Sequence, residues 1–529
     1  MNAVVDLPLE VPEDLREIAY LEGGVLYVAS HHYADTRVIE LEMRLSRMGA
    51  FKRKQQVSAV EIKNRTGATA KSSGGVSRME KGRELAAGLS LIETGVRMKA
   101  SDLHFVFKGS VCLIKYRVDG YLDIYSEMAK DDAERIISAI YVHANVKNRG
   151  SFNFNGPIAA RLDKDLPDGL YACRFASIKT ESGGAVVLRL LYDTVANRTY
   201  GEKDRISLPV LGFDDAQVAL LEDMAASPNG LIIIDGPTGS GKSTTLKYVL
   251  QWVHQHYPQF NILTVEDPPE YPIFGAQQIP VLVQDDDVDD PHRRTRAYSN
   301  IINTTLRLDP DILMVGEIRD GTSSIAALRA AITGHRLWTT LHANDAWEAL
   351  NRLIDLLREG GMQDPMPVLA NTQNLTGLIA QRLVPTLCPH CRKPLVGNQD
   401  RVDPKALDEL MKAGDVDLQR IFVRGDGCEH CVPNASDNAN RQYDKRRGIL
   451  GRTVVAEIVR PDQGLLDVAR EHGIPRARHY WMEHRDGKLL ADQAIAKIQQ
   501  GLLDPGVARE FIGPLITAQQ VLSLSRSTS

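Results

Sequence analysis

The spacing of hydrophobic positions divides the chain into stretches of different character. Residues 1–62 hold a short apolar run, Gly24–Ala29, a helical pattern around Arg37–Met48 and a basic stretch, Lys52-Arg53-Lys54. No function is legible there. Asn64–Arg78 is Gly, Ser, Thr and Ala with few large apolar side chains, so it buries too little surface to order itself and reads as a linker. A boundary near residue 80 follows. Beyond it the pattern predicts a helix around Gly82–Thr94, strands at Leu103–Phe107 and Val111–Val118, and a helix at Asp131–Val146. Strands at Tyr171–Ile178 and Ala185–Leu191 come next, with Gly183-Gly184 as the turn between them. Residues 201–385 alternate short, wholly apolar strands with amphipathic helices, as a parallel sheet buried on both faces requires. The tail ends in helices at Asp462–Glu471, Leu489–Gln500 and Pro505–Phe511. The expected division is an N-terminal region and linker (1–80), a small α+β domain (81–200), an α/β core (201–385), a cysteine-bearing subdomain (386–460) and a helical end (461–529).

Composition narrows the class. With 529 residues, 43% hydrophobic and 25% charged, the chain has apolar material for more than one core, which excludes global disorder. A net charge of −5 is not the basic body that phosphate-backbone binding favours, so nucleic acid is not an expected partner. There is no run of 18 apolar residues, and the opening residues are acidic where a secretory signal would be basic, so the chain is expected in the cytoplasm. Six cysteines are too few for a disulfide scaffold.

Leu231–Val253 reads as an apolar strand, the loop Gly236-Pro237-Thr238-Gly239-Ser240-Gly241-Lys242-Ser243, and a helix beginning near Thr244. The glycines let the loop turn its backbone N–H groups around phosphates. Lys242 reaches the β- and γ-phosphates, and the Ser243 hydroxyl ligates Mg²⁺ at the helix N-terminus. A chance Gly-rich turn would lack the flanking strand and helix. The loop therefore predicts ATP with Mg²⁺.

A triphosphate site also needs carboxylates at neighbouring strand ends. Asn261–Glu270 supplies Glu266, Asp267 and Glu270 after one apolar strand, and Asp309–Asp320 supplies Glu317 after another. Gly316 stands where the Asp of an ordinary Walker B strand would hold the metal, so metal contact is expected through Ser243 and water, with Glu266 or Glu317 behind it. Glu317 is the candidate for polarising the attacking water; its alternative is a solvated carboxylate capping a strand. A third strand, Arg336–Leu341, brings His342 to the same sheet edge after the turn Thr333-Gly334-His335. Hydrogen bonding to the γ-phosphate and a purely structural role both suit a histidine there.

Cys388-Pro-His-Cys391 and Cys428-Glu-His-Cys431 place four thiols in two knuckles separated by 36 residues. Four soft ligands complete a tetrahedral Zn²⁺ with no open position, which marks a structural metal. His390 and His430 are then spare. The long separation requires the intervening segment to form its own excursion. Lone Cys112 and Cys173 read as buried packing residues.

The ordered segments GPTGSGKSTTL, TVEDPPE, DPDILMVGEIRD and TGHRLWTTLHANDA resemble the secretion ATPases of type II secretion and type IV pilus assembly, the GspE/PilB-type traffic ATPases. There they are the Walker A loop, Asp box, atypical Walker B and His box. The resemblance extends to ASDLHF, YRVDGYL, VVLRLL, IAQRLVPTLCPHC, GCEHC and GRTVVAEIV, covering roughly residues 81–510. It implies a RecA-like P-loop core, a preceding PAS-like α+β domain and a zinc-binding C-terminal subdomain. It further implies Glu317 as catalytic base, Glu266 as a metal-proximal carboxylate and His335 and His342 as the His-box residues. Arg174 and Arg189 become the arginines that the small domain offers to the phosphates, where positive charge is worth ~10³-fold or more in rate. ASDLHF lacks the acidic-proline ending usual after that motif, and ACRFASIKT is a loose version of the arginine strand. In this family the zinc segment marks pilus-extending and secretion-driving members. The resemblance thus implies a homohexamer, peripheral at the bacterial inner membrane, that drives a polytopic platform protein and the pilus or secretion machinery. The alternatives are a conjugation-associated or helicase-like nucleic-acid translocase, which would need a basic, aromatic-lined channel, and a non-hydrolysing scaffold.

Overall fold

The computed structural model describes residues 11, 15, 18–29, 33, 38, 41, 42, 45, 51–57, 77–144, 152–154, 156–181, 183–192, 207–281, 293–414, 416–431 and 447–527. The chain divides into two compact units, Met1–Gly88 and Leu89–Ser529. In the first, β1 (Ala19–Glu22) pairs antiparallel with β2 (Val25–Ala29), and β2 pairs parallel with β3 (Arg53–Val57). Its core gathers Leu15, Leu26, Val28, Val38, Leu41 and Leu45. Most of the helical pattern at Arg37–Met48 and the stretch 58–76 lie outside the described residues.

The helix expected at Gly82 begins earlier, as α1 (Ser77–Arg97). After it come β4 (Asp102–Lys108), β5 (Val111–Val118), β6 (Tyr121–Ala129), α2 (Lys130–His143), β7 (Ile158–Leu162), β8 (Leu170–Thr180) and β9 (Gly183–Tyr192). The strands form an antiparallel sheet in the order β6-β5-β4-β9-β8-β7. Alternate residues Leu103, Phe105 and Phe107 of β4 pack with Ile92 of α1 and Ile137 and Ile140 of α2, so both helices cover one face. The other face carries Asp102, Arg117, Arg174 and Arg189 among its residues. Cys112 and Cys173 are fully buried in this core, as packing residues. The expected Gly183-Gly184 turn is displaced: Thr180 pairs with Gly183, so both glycines belong to β9. The reason is packing, because a Cβ on Gly184 would sit 2.3 Å from the Phe154 ring.

The larger sheet has the order β12-β11-β13-β14-β10-β15-β18, parallel except for the last pair. Its strands are β10 (Gly230–Asp235), β11 (Ile262–Glu266), β12 (Ala276–Pro280), β13 (Ile312–Val315), β14 (Arg336–Leu341), β15 (Leu375–Leu387) and β18 (Ile449–Val459). Along β10, Leu231 and Ile233 enter one core while Ile232 and Ile234 enter another, which is why the strand is apolar at every position. Helices α3 (Asp215–Ala226) and α4 (Lys242–His256) pack on the second face. Helices α5 (Arg293–Thr305), α6 (Gly321–Ile332) and α7 (Ala346–Glu359) pack on the first. This is a mixed α/β, RecA-like fold.

Beyond it, β16 (Lys393–Pro394), α8 (Pro404–Lys412) and β17 (Phe422–Val423) form the excursion between the cysteine knuckles. Then come α9 (Gln463–His472), α10 (Ile474–His484), α11 (Leu490–Gln499), α12 (Pro505–Ile512) and α13 (Ala518–Ser527). Val384, Leu410, Val423, Val455, Ile498 and Val507 share a core with Tyr121 at the start of β6. No described helix is long and apolar enough to cross a membrane.

Candidate functional site

The phosphate loop joins β10 to α4 with Gly236, Gly239 and Gly241 all at positive φ. At Gly236 the demand is also steric, since a Cβ there would meet the Gln381 carbonyl at 2.4 Å. Gln381 is fully buried beneath the loop, accepting from the Thr245 hydroxyl (2.9 Å) and donating to the Ser240 carbonyl (2.8 Å). The Lys242 ammonium donates to the carbonyls of Gly236 (2.5 Å) and Pro237 (3.3 Å). Burial draws its pKa down to about 8, against the opposing pull of Glu317, Asp235 and Glu270. Ser243 and Thr244 follow in the first turn of α4, at its N-terminus.

Neighbouring parallel strands end beside this loop and deliver the carboxylates. Glu266, the last residue of β11, is buried, and its Oε1 accepts from Thr264 (2.7 Å) and Gln278 (2.8 Å). Burial raises its pKa, opposed by those two bonds. A Cβ on Gly316 would lie 3.6 Å from Glu266 Cγ, at ordinary contact distance, so Gly316 and Glu266 stand side by side at the strand ends. Glu317 Oε2 accepts from Arg319 Nε (2.9 Å) and Oε1 lies 3.3 Å from His342 Nε2. Burial, then Lys242, lowers the pKa of His342, so this ring is neutral near pH 7. The Tyr298 hydroxyl on α5 donates to the Val265 carbonyl and accepts from the Glu317 N–H, both at 3.3 Å, pinning the two strand ends together.

His335 lies apart from the residues of the cleft. It stands before β14 and His342 after it, and a six-residue strand separates them by about 20 Å. His335 Nδ1 contacts the Ala330 carbonyl and the Thr333 hydroxyl, both at 3.2 Å. It belongs to a turn at the far edge of the sheet and does not line the cleft.

Facing the phosphate loop is the uncovered face of the small sheet, and the two enclose a cleft of about 1950 Å³. Arg174 Nη1 donates to Glu270 Oε1 at 3.1 Å, and Arg189 Nη1 lies 4.0 Å from the same oxygen. Arg161, not singled out from sequence, donates to the Pro269 carbonyl at 3.0 Å. Asp102 and Arg117, quoted only within ASDLHF and YRVDGYL, line the same cleft. The structure therefore brings Lys242, Ser243, Thr244, Glu266, Glu317, His342, Arg174 and Arg189 together.

Cys388, Cys391, Cys428 and Cys431 form a second site, with all four Sγ atoms within 4.8 Å of one another. The Cys388–Cys428, Cys391–Cys431 and Cys428–Cys431 separations are 3.7, 3.8 and 3.8 Å. Tetrahedral Zn–S bonds of about 2.3 Å require S···S edges of about 3.8 Å, so the donor set fits that ion. The Cys428 N–H donates to Cys431 Sγ at 3.3 Å. His390 and His430 stack on each other, ring centroids 3.7 Å apart, outside the thiol cluster.

Residues 87–512 match the family model described as "Type II/IV secretion system protein". The "Type II secretion system protein E" of Dickeya dadantii is 32% identical over 414 residues, covering 78% of this chain and 71% of its own. The "Type II secretion system ATPase E" of Vibrio cholerae is 29% identical over 414 residues, covering 78% of this chain and 72% of its own. The X-ray structure of the Legionella pneumophila ATPase DotB aligns with 80% of this chain and 95% of its own at a TM-score of 0.53. At 19% identity that likeness is one of fold. With the model match spanning most of its length, from the small antiparallel sheet to the C-terminal helices, the chain belongs to the type II/IV secretion system protein family.

Proposed function

We propose that this chain is a Mg²⁺-dependent ATPase motor that powers type II pseudopilus extension or type IV pilus assembly. The observation that carries the reading is one cleft in which the phosphate loop, Glu266, Glu317 and His342 face the arginines of the small sheet. The loop N–H groups and Lys242 receive the phosphates. Mg²⁺, held by the Ser243 hydroxyl with Glu266 behind it, would neutralise charge on the β- and γ-phosphates. The Glu317 carboxylate accepts the proton of the attacking water as the bond from the γ-phosphorus to its bridging oxygen breaks. Arg319 and His342 fix its orientation. Arg174 and Arg189 bring charge to the γ-phosphoryl group, so nucleotide draws the small domain and the core together and hydrolysis releases them. Family membership supports the wider setting: a homohexamer at the cytoplasmic face of the inner membrane, attached through a polytopic platform protein. In this reading Zn²⁺ on the four cysteines is structural.

The test is steady-state hydrolysis on size-separated monomer and oligomer of wild type, Lys242→Ala and Glu317→Gln. Hydrolysis should concentrate in the oligomer. Lys242→Ala should lose it, and Glu317→Gln should retain ATP binding while losing ~10²–10⁴-fold in rate. A wild-type rate in Glu317→Gln removes the base. No hydrolysis in any form, even with the platform's cytoplasmic domain added, leaves a nucleotide-dependent scaffold.

A further inference from the structure

The register of the small sheet builds a row of charge that the sequence conceals. Arg161 pairs with Arg174 across β7 and β8, and Arg174 with Arg189 across β8 and β9. Arg189 pairs with Asp102 across β9 and β4, and Asp102 with Arg117 across β4 and β5. Five strands thus set four arginines and one aspartate side by side on the cleft face. Like charges directly opposite one another repel, so a row of arginines holds a fixed geometry only if something anchors it.

We infer that Asp102 is a positioning residue that aims the Arg189 guanidinium at the phosphate groups, an inference that rests on the ATPase reading above. Asp102 is buried, with its side chain 9% exposed against 39% for Arg189. Its Oδ1 accepts from Arg189 Nε at 3.2 Å, while Arg189 Nη1 projects onward to 4.0 Å from Glu270 Oε1. The guanidinium is therefore held by its inner nitrogen and presents its outer edge to the core. Oδ2 accepts from the Ser101 hydroxyl at 2.8 Å and lies 3.8 Å from Arg117 Nε. Arg117 in turn donates through Nη1 to the Gly120 carbonyl at 2.8 Å, which keeps its charge on the far side of the carboxylate. Oδ1 of Asp102 is thus taken by Arg189 itself, and Oδ2 is held by Ser101 and Arg117. Without the carboxylate, Arg189 stands opposite Arg174 with nothing to hold its Nε, and the two guanidiniums repel. The group that meets phosphate is Arg189, and Asp102 acts only through it.

A double-mutant cycle on the full-length protein tests this, with ATP turnover, binding of a non-hydrolysable ATP analogue and thermal midpoint measured for Asp102→Ala, Asp102→Asn, Arg189→Ala and Asp102→Ala/Arg189→Ala. Misorienting a positioned group typically costs ~10–100-fold in rate. Asp102→Ala should lower kcat by about that factor with little change in KM. Asp102→Asn, whose amide oxygen still accepts the Arg189 Nε–H, should fall between Asp102→Ala and wild type. The double variant should turn over no more slowly than Arg189→Ala alone, because both changes remove one interaction. Losses that multiply in the double variant, or a wild-type kcat in Asp102→Ala, would overturn the assignment. If Asp102→Ala does not fold, Asp102→Asn carries the cycle with Arg189→Ala, and multiplied losses there overturn it equally. Wild-type turnover insensitive to Lys242→Ala would instead remove the ATPase reading, and this inference with it.

Discussion

Lys242 makes the affinity for ATP depend on pH in a window where little else at the site titrates. Burial lowers its pKa from 10.5 to about 8, a burial cost of roughly 3 kcal/mol that the phosphates of a bound nucleotide offset. Only the ammonium form attracts phosphate, so apparent affinity falls with the charged fraction above that pKa. From pH 7.5 to 9 this predicts about tenfold weaker binding, near 1.4 kcal/mol. Arginines stay charged throughout, and the terminal phosphate, with a pKa of about 6, is already ionised. His342 is neutral, and Asp235, pushed up by burial to about 7, is mostly ionised before the window opens. The assay is calorimetric titration with a non-hydrolysable ATP analogue at pH 8.5 in two buffers of different ionisation enthalpy. Binding should take up most of one proton. Stability should move the other way. Because the folded-state pKa is depressed, the cost of the buried charge is fully present below about pH 8. It is relieved between about 8 and 10.5, where the unfolded chain holds the extra proton, so the stability contribution of Lys242 rises with pH there. Lys242→Arg, whose charge does not titrate, should lose the pH dependence of binding. A flat affinity from pH 7.5 to 9 with no proton uptake would refute the argument.

Two further outcomes test the scaffold. Cys428→Ser/Cys431→Ser leaves two thiols of a four-thiol cluster, so metal analysis should show loss of zinc and the subdomain should melt earlier, while analogue binding at the distant phosphate loop persists; unchanged zinc content would sink the metal assignment. Gly321→Ala puts a Cβ 2.3 Å from the Gly360 backbone nitrogen, where the start of α6 meets the end of α7. Relief requires the helices to separate, so the urea midpoint should drop by the equivalent of about 1–3 kcal/mol with no change in slope. An unchanged midpoint would mean that this close approach is not a constraint.

Legibility of the two walls of the cleft differs for a physical reason. On the core side, each parallel strand is a short apolar run: Glu266 ends one, Glu317 stands one glycine beyond another, and His342 follows a third directly. Parallel strands finish at one edge, so local sequence order places these residues together before any tertiary contact is known. The same rule sets His335 apart from the cleft: the motif is contiguous in sequence, but a whole strand lies between its two histidines. β6 was not expected because it is an edge strand with only its first residue buried, so its pattern carries no clean alternation. Gln381 was overlooked because its role appears only when β15 lies beside β10 and slides an amide under the loop.

The small-sheet wall depends on register, which spacing does not reveal. Arg161, Arg174 and Arg189 fall at separations of 13 and 15 residues, and no helical or strand period connects them. The β8–β9 register pairs Thr180 with Gly183 and, six residues on, Arg174 with Arg189, while the β7–β8 register sets Arg161 opposite Arg174. A slip of one residue would send Arg189 into the helix-covered core and Leu188 into the cleft. The apolar face therefore enforces the polar one: burying Leu188, Leu190 and Phe175 against α1 and α2 fixes the register that lines up the arginines. On this view, a core substitution such as Leu188→Ala acts on the cleft only by loosening that register, and no phosphate contact is removed with it.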